Sequence, residues 1–277
     1  MEALHLLKAR AEARWRERTD ATRPRVEIST SSCSFHAGAA EVLKAAQEAV
    51  ENRGIRVMQV GDTGMCWAEP VIFIARPGEA RVAYGPVRAG EAAALIEDVL
   101  MRGERRVELA LGVDDLPPTG PFGGTQRTSP LGLGQLGTIS PFSQLPYFQV
   151  QRRRLVERCG VIDPEDIDGF LATGGYAALD KALAMAPDDI VKQLTDAQLT
   201  GRGGANFPAG TKWNFLKGAS GHPKYMVCNA DEGDPGAFVN RILMESDPHL
   251  IIEGGSHDDE VTAPCGTCAW RWGRRRQ

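Results

Sequence analysis

Between Gly112 and Pro146 the chain carries seven glycines and six prolines. Proline locks φ and removes a backbone donor, while glycine loses more freedom on ordering than any other residue, so together they deny helix nucleation and a continuous strand ladder. Residues 111–146 are therefore read as a linker, a flexible spacer in preference to an ordered arm, and folding is expected on either side of it. With 277 residues and 42% hydrophobic content, the chain can build a packed core on both sides.

Charge and hydropathy narrow the partners. The 32 basic and 36 acidic residues leave a net charge of -4, too near balance for a protein that tracks a nucleic-acid backbone. No apolar run approaches the ~20 residues that cross a bilayer, so no direct membrane insertion is expected. Glu2, Lys8, Arg10, Glu12, Arg14 and Arg16 interrupt the N-terminus where a secretory leader needs an unbroken apolar stretch. Leu4, Leu7, Ala11 and Trp15 instead predict an amphipathic helix within residues 1–24. Six cysteines without an export signal read as reduced thiols in the cytoplasm.

Residues 25–110 alternate clearly. A strand is expected over Val26–Ser29, a helix over Ala37–Glu51 and a strand over Arg56–Val60. Hairpin strands follow at Val71–Ile74 and Arg81–Ala83, around the turn Arg76-Pro77-Gly78-Glu79, then a closing helix over Glu91–Met101. The order β-α-β-β-β-α suits a small thioredoxin-like or ferredoxin-like domain. Beyond the glycine- and proline-rich stretch, helices are expected over Gln149–Arg158, from Asp163-Pro164, over Tyr176–Met185 after a break at Gly174-Gly175, from Pro187 to Leu194, and over Thr211–Leu216. A buried strand, Lys224–Cys228, closes the series.

The chemistry concentrates in two segments. Gly201-Arg202-Gly203-Gly204-Ala205-Asn206-Phe207-Pro208-Ala209-Gly210-Thr211-Lys212-Trp213 is a glycine-rich loop with two cations, and with Phe215 three aromatics stand close by. Glycines let backbone N–H groups approach a phosphate, the following helix start adds its positive end, and Arg202 and Lys212 add full charges. The motif lacks the third glycine of G-x-G-x-x-G and the Lys-Ser/Thr pair of a P-loop, so an ordinary glycine-rich turn fits these residues as well. The second segment follows the strand Lys224–Cys228. Asn229-Ala230-Asp231-Glu232-Gly233-Asp234 puts an amide and three carboxylates at a strand's carboxyl end, where α/β sheets bind nucleotides, or forms a solvated acidic turn.

In order and spacing the two segments resemble the flavin and NADH site of the NADH-binding flavoprotein subunit of respiratory complex I, NAD-reducing hydrogenases and NAD-dependent formate dehydrogenases. The resemblance runs from Pro141-Phe142 through Cys159–Ile167 and Gly174–Leu179 to Asp247–Gly254. It implies an α/β fold class: a small thioredoxin-like domain followed by the first part of a Rossmann-like FMN/NADH-binding domain over 147–254. It implies that Gly201, Arg202, Gly203, Gly204 and Lys212 surround the phosphate and ribityl chain of FMN, and that Asn229 and Asp231 contact its flavin end. Phe207 and Phe215 would flank the adenine of NADH, and Glu232 and Asp234 would face its ribose or nicotinamide. A carboxylate there disfavours a 2′-phosphate and so leans toward NAD. Asp at 234 is more typical of the hydrogenase and formate dehydrogenase branch. Hydride would pass from NADH to flavin without a protein acid or base, and electrons would leave through iron-sulfur clusters to other subunits of a multisubunit oxidoreductase.

Two regions depart from that pattern. Residues 25–110 resemble the thioredoxin-like [2Fe-2S] domain of some family members at Cys33–Val42 and Val60–Pro70. Cys33 and Cys66 stand at cluster positions, but a further expected cysteine is Asp62, and four thiolates cannot be assembled. A clusterless docking domain is expected, with an unusual cluster or a redox thiol pair as the alternative. After Gly254 the resemblance stops. Residues 255–277, ending in four arginines among seven residues and holding Cys265 and Cys268, read as an aberrant tail of a truncated chain. The iron-sulfur domain would then lie only in a missing C-terminal region, and a non-catalytic remnant or subunit-docking module stands as the competing reading.

Overall fold

The computed structural model describes residues 2–114, 139–202, 204–220, 225 and 227–262, with side chains over 4–255. The chain divides into two compact units, Met1–Gly175 with Glu232–His249, and Tyr176–Asp231 with Leu250–Gln277. Among the described residues no helix is long and apolar enough to cross a membrane.

The first unit is built on a five-stranded sheet. Helix α1 (Glu2–Arg18) leads into β1 (Arg25–Ser29), α2 (Ser32–His36), α3 (Ala39–Ala49) and β2 (Arg56–Val60). Strands β3 (Ile72–Ala75) and β4 (Val82–Tyr84) form the hairpin, and α4 (Ala89–Ile96) runs on into a π turn over Glu97–Arg102. Strand β5 (Ala110–Val113) completes the order β2-β1-β3-β4-β5. β1 and β2 are parallel, joined by a helical crossover as parallel neighbours must be, and the other pairs are antiparallel. The β-α-β-β-β-α order expected of a thioredoxin-like domain is present.

Both faces of the sheet's middle are covered, which is why β3 and β4 read as continuous apolar runs. On one face Val26, Ile28, Ile72, Ile74, Val82 and Tyr84 pack with Val42 and Ala46 of α3 and Leu95 and Ile96 of α4. On the other, Phe73, Ala83 and Val71 meet Phe142 and Phe148. Phe142 stacks on Phe148 at 4.9 Å between centroids and meets Phe73 edge-on at 6.5 Å.

That second face corrects the linker. Its ends are ordered: β5, too short and too glycine-broken at Gly112 to show as a strand pattern, pairs with β4, and the chain from residue 139 returns beside it, with Val113 bridged to Pro141. Buried aromatic area offsets the ordering cost that proline and glycine were expected to make prohibitive. Residues 115–138 lie outside the described set.

Other expectations shift for tertiary reasons. The helix over Gln149–Arg158 does not form; α5 (Pro146–Gln149) stops where it should begin, and Val150 and Leu155 are exposed. The arginines have other partners. Arg153 donates to the carbonyls of Thr63 and Val156 at 3.1 Å, and Arg158 donates to buried Asp247 at 2.7 Å. Helix α6 (Ile167–Ala172) starts after Asp166, whose side chain caps Asp168 N–H, whereas Asp163 accepts from Glu165 N–H in a turn before it.

The second unit is helical among its described residues: α7 (Ala177–Leu183), α8 (Pro187–Asp196), α9 (Ala209–Gly218) and, beyond a return to the first unit through α10 (Val239–Ser246), α11 (Pro248–Thr262). Buried Glu253 of α11 accepts from the N–H groups of Tyr176, Ala178 and Leu179 and so caps α7. The strand expected over Lys224–Cys228 is not one at its described residues, and Tyr225 and Val227 are exposed. A strand needs a neighbour for its ladder, and no described residues of this unit supply one; Lys224 and Met226 lie outside the described set. Helix α11 runs through to Thr262, past residue 255 where the tail was expected to begin. Residues 263–277, with Cys265 and Cys268, lie outside the described set.

Arg81 ties the first unit together. Its guanidinium, 7% exposed, pairs with Glu27 of β1, with Asp114 at 2.6 Å and with the Gly160 carbonyl at 2.6 Å, lying 4.2 Å over the Phe73 ring. Burial raises the Glu27 carboxyl, but Arg81 and Arg25 outweigh it and hold the group below its ordinary value. Replacing Arg81 by leucine leaves two buried carboxylates without their shared cation, and R81L is expected to lose about 3–5 kcal/mol of first-unit stability. Urea unfolding measures it; a loss under ~1 kcal/mol would show that the network carries little.

Candidate functional site

The glycine loop belongs to the second unit and is closed at its neck. Gly201 N–H donates to Phe207 O and Ala209 N–H to Leu199 O, both at 2.8 Å, while Thr200 bridges Pro208 and its hydroxyl meets Asn206 Oδ1 at 2.6 Å. Inside this neck Gly204 takes φ +98° with nothing within 4 Å of where a Cβ would stand. A side chain would be strained there, so glycine is required by conformation while the space beside it stays open. Arg202, Gly204 and Lys212 are exposed; Gly203 lies outside the described set.

Helix α9 follows directly, ten residues long, with Pro208 at its N-cap and no side-chain cap. Lys212 lies in its first turn, so a full positive charge stands beside the helix's positive end, an arrangement that can favour an anion. The predicted aromatics come together: the Phe207 and Phe215 centroids lie 6.5 Å apart with planes tilted by 41°. They pair with one another, so a base between them requires the rings to part. Asn229 Oδ1 accepts from Asp231 N–H at 3.0 Å, a local turn in the same unit.

Glu232 and Asp234 belong to the first unit. Glu232 Oε1 accepts from Asn240 N–H at 2.6 Å in the first turn of α10, while its Oε2 is buried with no partner among the described residues. Asp234 is exposed. Within the second unit a closed loop and a turn hold the residues singled out in sequence up to Asp231, and within the first Glu232 is held by the start of α10.

In the first unit the cluster positions converge. Cys33 of α2 and Asp62 and Cys66 after β2 bring their ligand atoms within 4.8 Å of one another. Burial first, then a hydrogen bond with Cys33, push the Cys66 thiol up to about 12, against the pull of Arg241, whose Nη2 lies 3.3 Å from its sulfur. A reactive thiol needs a shift in the other direction. Beside them, Glu69 accepts from the Ser29 hydroxyl at 2.7 Å and from Val71 N–H at 2.9 Å. Sequence reasoning singles out neither Glu69 nor Arg241. Glu69 lies inside the resembling stretch Val60–Pro70, whereas nothing in the sequence pairs Arg241 with a cysteine 175 positions away. A cleft of about 500 Å³ also opens in this unit, lined by Arg14, Arg18, Arg56, Gln59 and Asp163 among others, and takes in none of the predicted site residues.

Residues 194–260 match the model of the Nuo51 FMN-binding domain. The chain is 52% identical over 101 residues to an NADH-quinone oxidoreductase subunit of Rhizobium meliloti, covering 36% of this chain and 24% of that one. It is 48% identical over 103 residues to the NADP-reducing hydrogenase subunit HndC of Solidesulfovibrio fructosivorans, covering 37% and 21%. It thus spans about a quarter of the length of these relatives. Among solved structures, a thioredoxin-like [2Fe-2S] ferredoxin from Aquifex aeolicus is 18% identical with TM-score 0.30, over 33% of this chain and 92% of that one. An NAD+-reducing [NiFe]-hydrogenase chain is 22% identical with TM-score 0.32, over 95% and 42%. The resemblance read from the glycine loop and the acidic segment is borne out by the family model and the relatives.

Glu69 gives the cysteine cluster a pH signature. Burial, then the nearby Asp62 charge, raise its carboxyl from 4.5 to about 7. Between those values the native state holds a proton that the unfolded chain has released, so stability falls as pH rises through the window and levels off above it. The fall is on the order of 2–3 kcal/mol. In metal-free buffer, unfolding at pH 5 and pH 8 should show this loss in the parent and not in Glu69→Gln; equal losses in both would refute it.

Proposed function

We propose that this chain carries the first part of the FMN/NADH-binding domain of a cytoplasmic NADH:acceptor oxidoreductase flavoprotein subunit, one that exchanges hydride with NADH and passes electrons to iron-sulfur partner subunits. The carrying observation is the family match over 194–260 falling on a closed glycine loop that feeds the start of α9. We take residues 147–254 as this domain's share of the chain.

The loop's donor set fits a phosphate ester: an open, left-handed Gly204, two exposed cations and an uncapped helix N-terminus. Gly201, Arg202, Gly203, Gly204 and Lys212 would hold the FMN phosphate and ribityl chain, and Asn229 and Asp231 the flavin end. Glu232 Oε2, buried without a partner among the described residues, fits a ribose hydroxyl, and with Asp234 it would repel a 2′-phosphate, which supports NADH over NADPH. Phe207 and Phe215 would take the adenine between them. FMN, when bound, supplies the hydride-accepting centre; the protein's residues bind, orient and exclude water, and none need move a proton.

Lys212→Glu and Arg202→Glu each remove an exposed cation and add a charge of the wrong sign, so each is expected to weaken FMN binding about 10- to 100-fold. Riboflavin, which lacks the phosphate, should bind the parent and both variants alike. Flavin fluorescence titration of the full chain measures this, and NADH should bleach the bound FMN. Equal FMN and riboflavin affinity, or no FMN binding by the parent, would count against the assignment.

A further inference from the structure

The proposed flavin chemistry leaves one cluster of ligating side chains unused, and it stands in the first unit. Cys33, Asp62 and Cys66 are the group among the described residues whose sulfur and carboxylate atoms converge within 4.8 Å. Cys66 Sγ and Asp62 Oδ2 lie 3.7 Å apart. Metal legs of about 2.3 Å to sulfur and 2.1 Å to oxygen close a tetrahedral edge of ~3.6 Å, so the observed gap is the one a single ion spans.

The surroundings orient these ligands. Asp62 is wholly buried, with Oδ1 accepting from Gly64 N–H at 2.6 Å and Oδ2 from the Ser31 hydroxyl at 3.3 Å. Its own N–H donates to Ser246 Oγ at 2.9 Å. Both cysteines are only half-buried, which admits an ion from solvent. Charge also favours a cation. Two thiolates and a carboxylate carry -3, a divalent cation leaves -1, and the Arg241 guanidinium 3.3 Å from Cys66 Sγ, shared with Glu245 at 3.5 Å, offsets part of the remainder. N–H groups directed at a metal-bound thiolate are the outer-shell support such sites use.

We propose that Cys33, Asp62 and Cys66 form a binding site for one thiophilic divalent cation of the zinc class, with water as the fourth ligand. A two-iron cluster needs four protein ligands, and three converge here. Soft sulfur ligands with one carboxylate select zinc over magnesium or calcium, which take all-oxygen shells. Binding replaces the two thiol protons by the metal, so up to two protons are released per ion.

The test uses the full chain, reduced and stripped of metal under anaerobic conditions, with Cys228→Ser, Cys265→Ser and Cys268→Ser removing competing thiols. Cobalt(II) is the probe. One equivalent should bind with a sulfur-to-cobalt charge-transfer band and the intense visible bands of tetrahedral cobalt, with proton release, and zinc should displace it. Cys33→Ser or Cys66→Ser should weaken binding more than about 100-fold and diminish the charge-transfer band. Asp62→Asn and Arg241→Met should each cost about 10- to 100-fold with the band kept, Arg241 acting as a positioning residue. Circular dichroism checks that each variant is folded. The proposal fails if no saturable band appears, or if the band survives in the C33S/C66S double variant. It also fails if purified protein carries iron with acid-labile sulfide, or a Cys33–Cys66 disulfide whose reduction restores no metal uptake.

Discussion

The first unit depends on one buried cation. Arg81 precedes β4, and its guanidinium reaches β1 through Glu27, the end of β5 through Asp114 and a later segment through the Gly160 carbonyl. A charge this deep is tolerable only when every donor is used, and the planar fork of arginine matches two carboxylates and a carbonyl as lysine's point charge could not. The Phe73 ring lies beneath it and also meets Phe142 edge-on. The polar network and the aromatic cover of the second sheet face are therefore one construction.

A second dependence runs through residues 232–249. They return to the first unit, where Asp247 takes Arg158, Ser246 accepts from Asp62 N–H, and Arg241 meets Cys66. Gly61 permits the approach, because a Cβ there would collide with Ser246. The same unit thus shows two fates for a buried carboxylate. Glu27, given a guanidinium, stays ionised below its ordinary range, whereas burial, then the neighbouring Asp62 charge, drive Glu69 up to about 7 against the hydrogen bonds it accepts from Ser29 and Val71 N–H.

Local signals are legible in the sequence and distant ones are not. β2 matches its expected span to the residue, and β1, β3, β4, α7 and α9 fall within about two residues of theirs, because alternation, turn residues and capping act over a few positions. Gln149–Arg158 misleads because its arginines are held by Thr63, Val156 and Asp247, none of which the local pattern can weigh. The linker misleads because composition records the cost of ordering Pro141–Pro146 but not the aromatic contacts that offset it. The glycine loop is legible as chemistry from residue types alone. The cysteine cluster is legible as positions, but Arg241 and Glu69, which set its charge, are not.

The acidic segment shows what residue type alone leaves undecided. Asp231, Glu232 and Asp234 read as three equivalent carboxylates beside an amide. In the fold, one oxygen of Glu232 is committed to the first turn of α10, and the other is buried without a partner among the described residues. An oxygen so placed accepts one hydroxyl with fixed geometry, whereas an exposed carboxylate such as Asp234 acts mainly through its field. In the proposed dinucleotide site the two therefore contribute differently: Glu232 by direct hydrogen bonding and Asp234 by repelling an added phosphate. Selection against a 2′-phosphate by Asp234 should accordingly weaken with salt, while the hydroxyl contact to Glu232 should persist, because screening acts on exposed charge and leaves a buried hydrogen bond almost untouched.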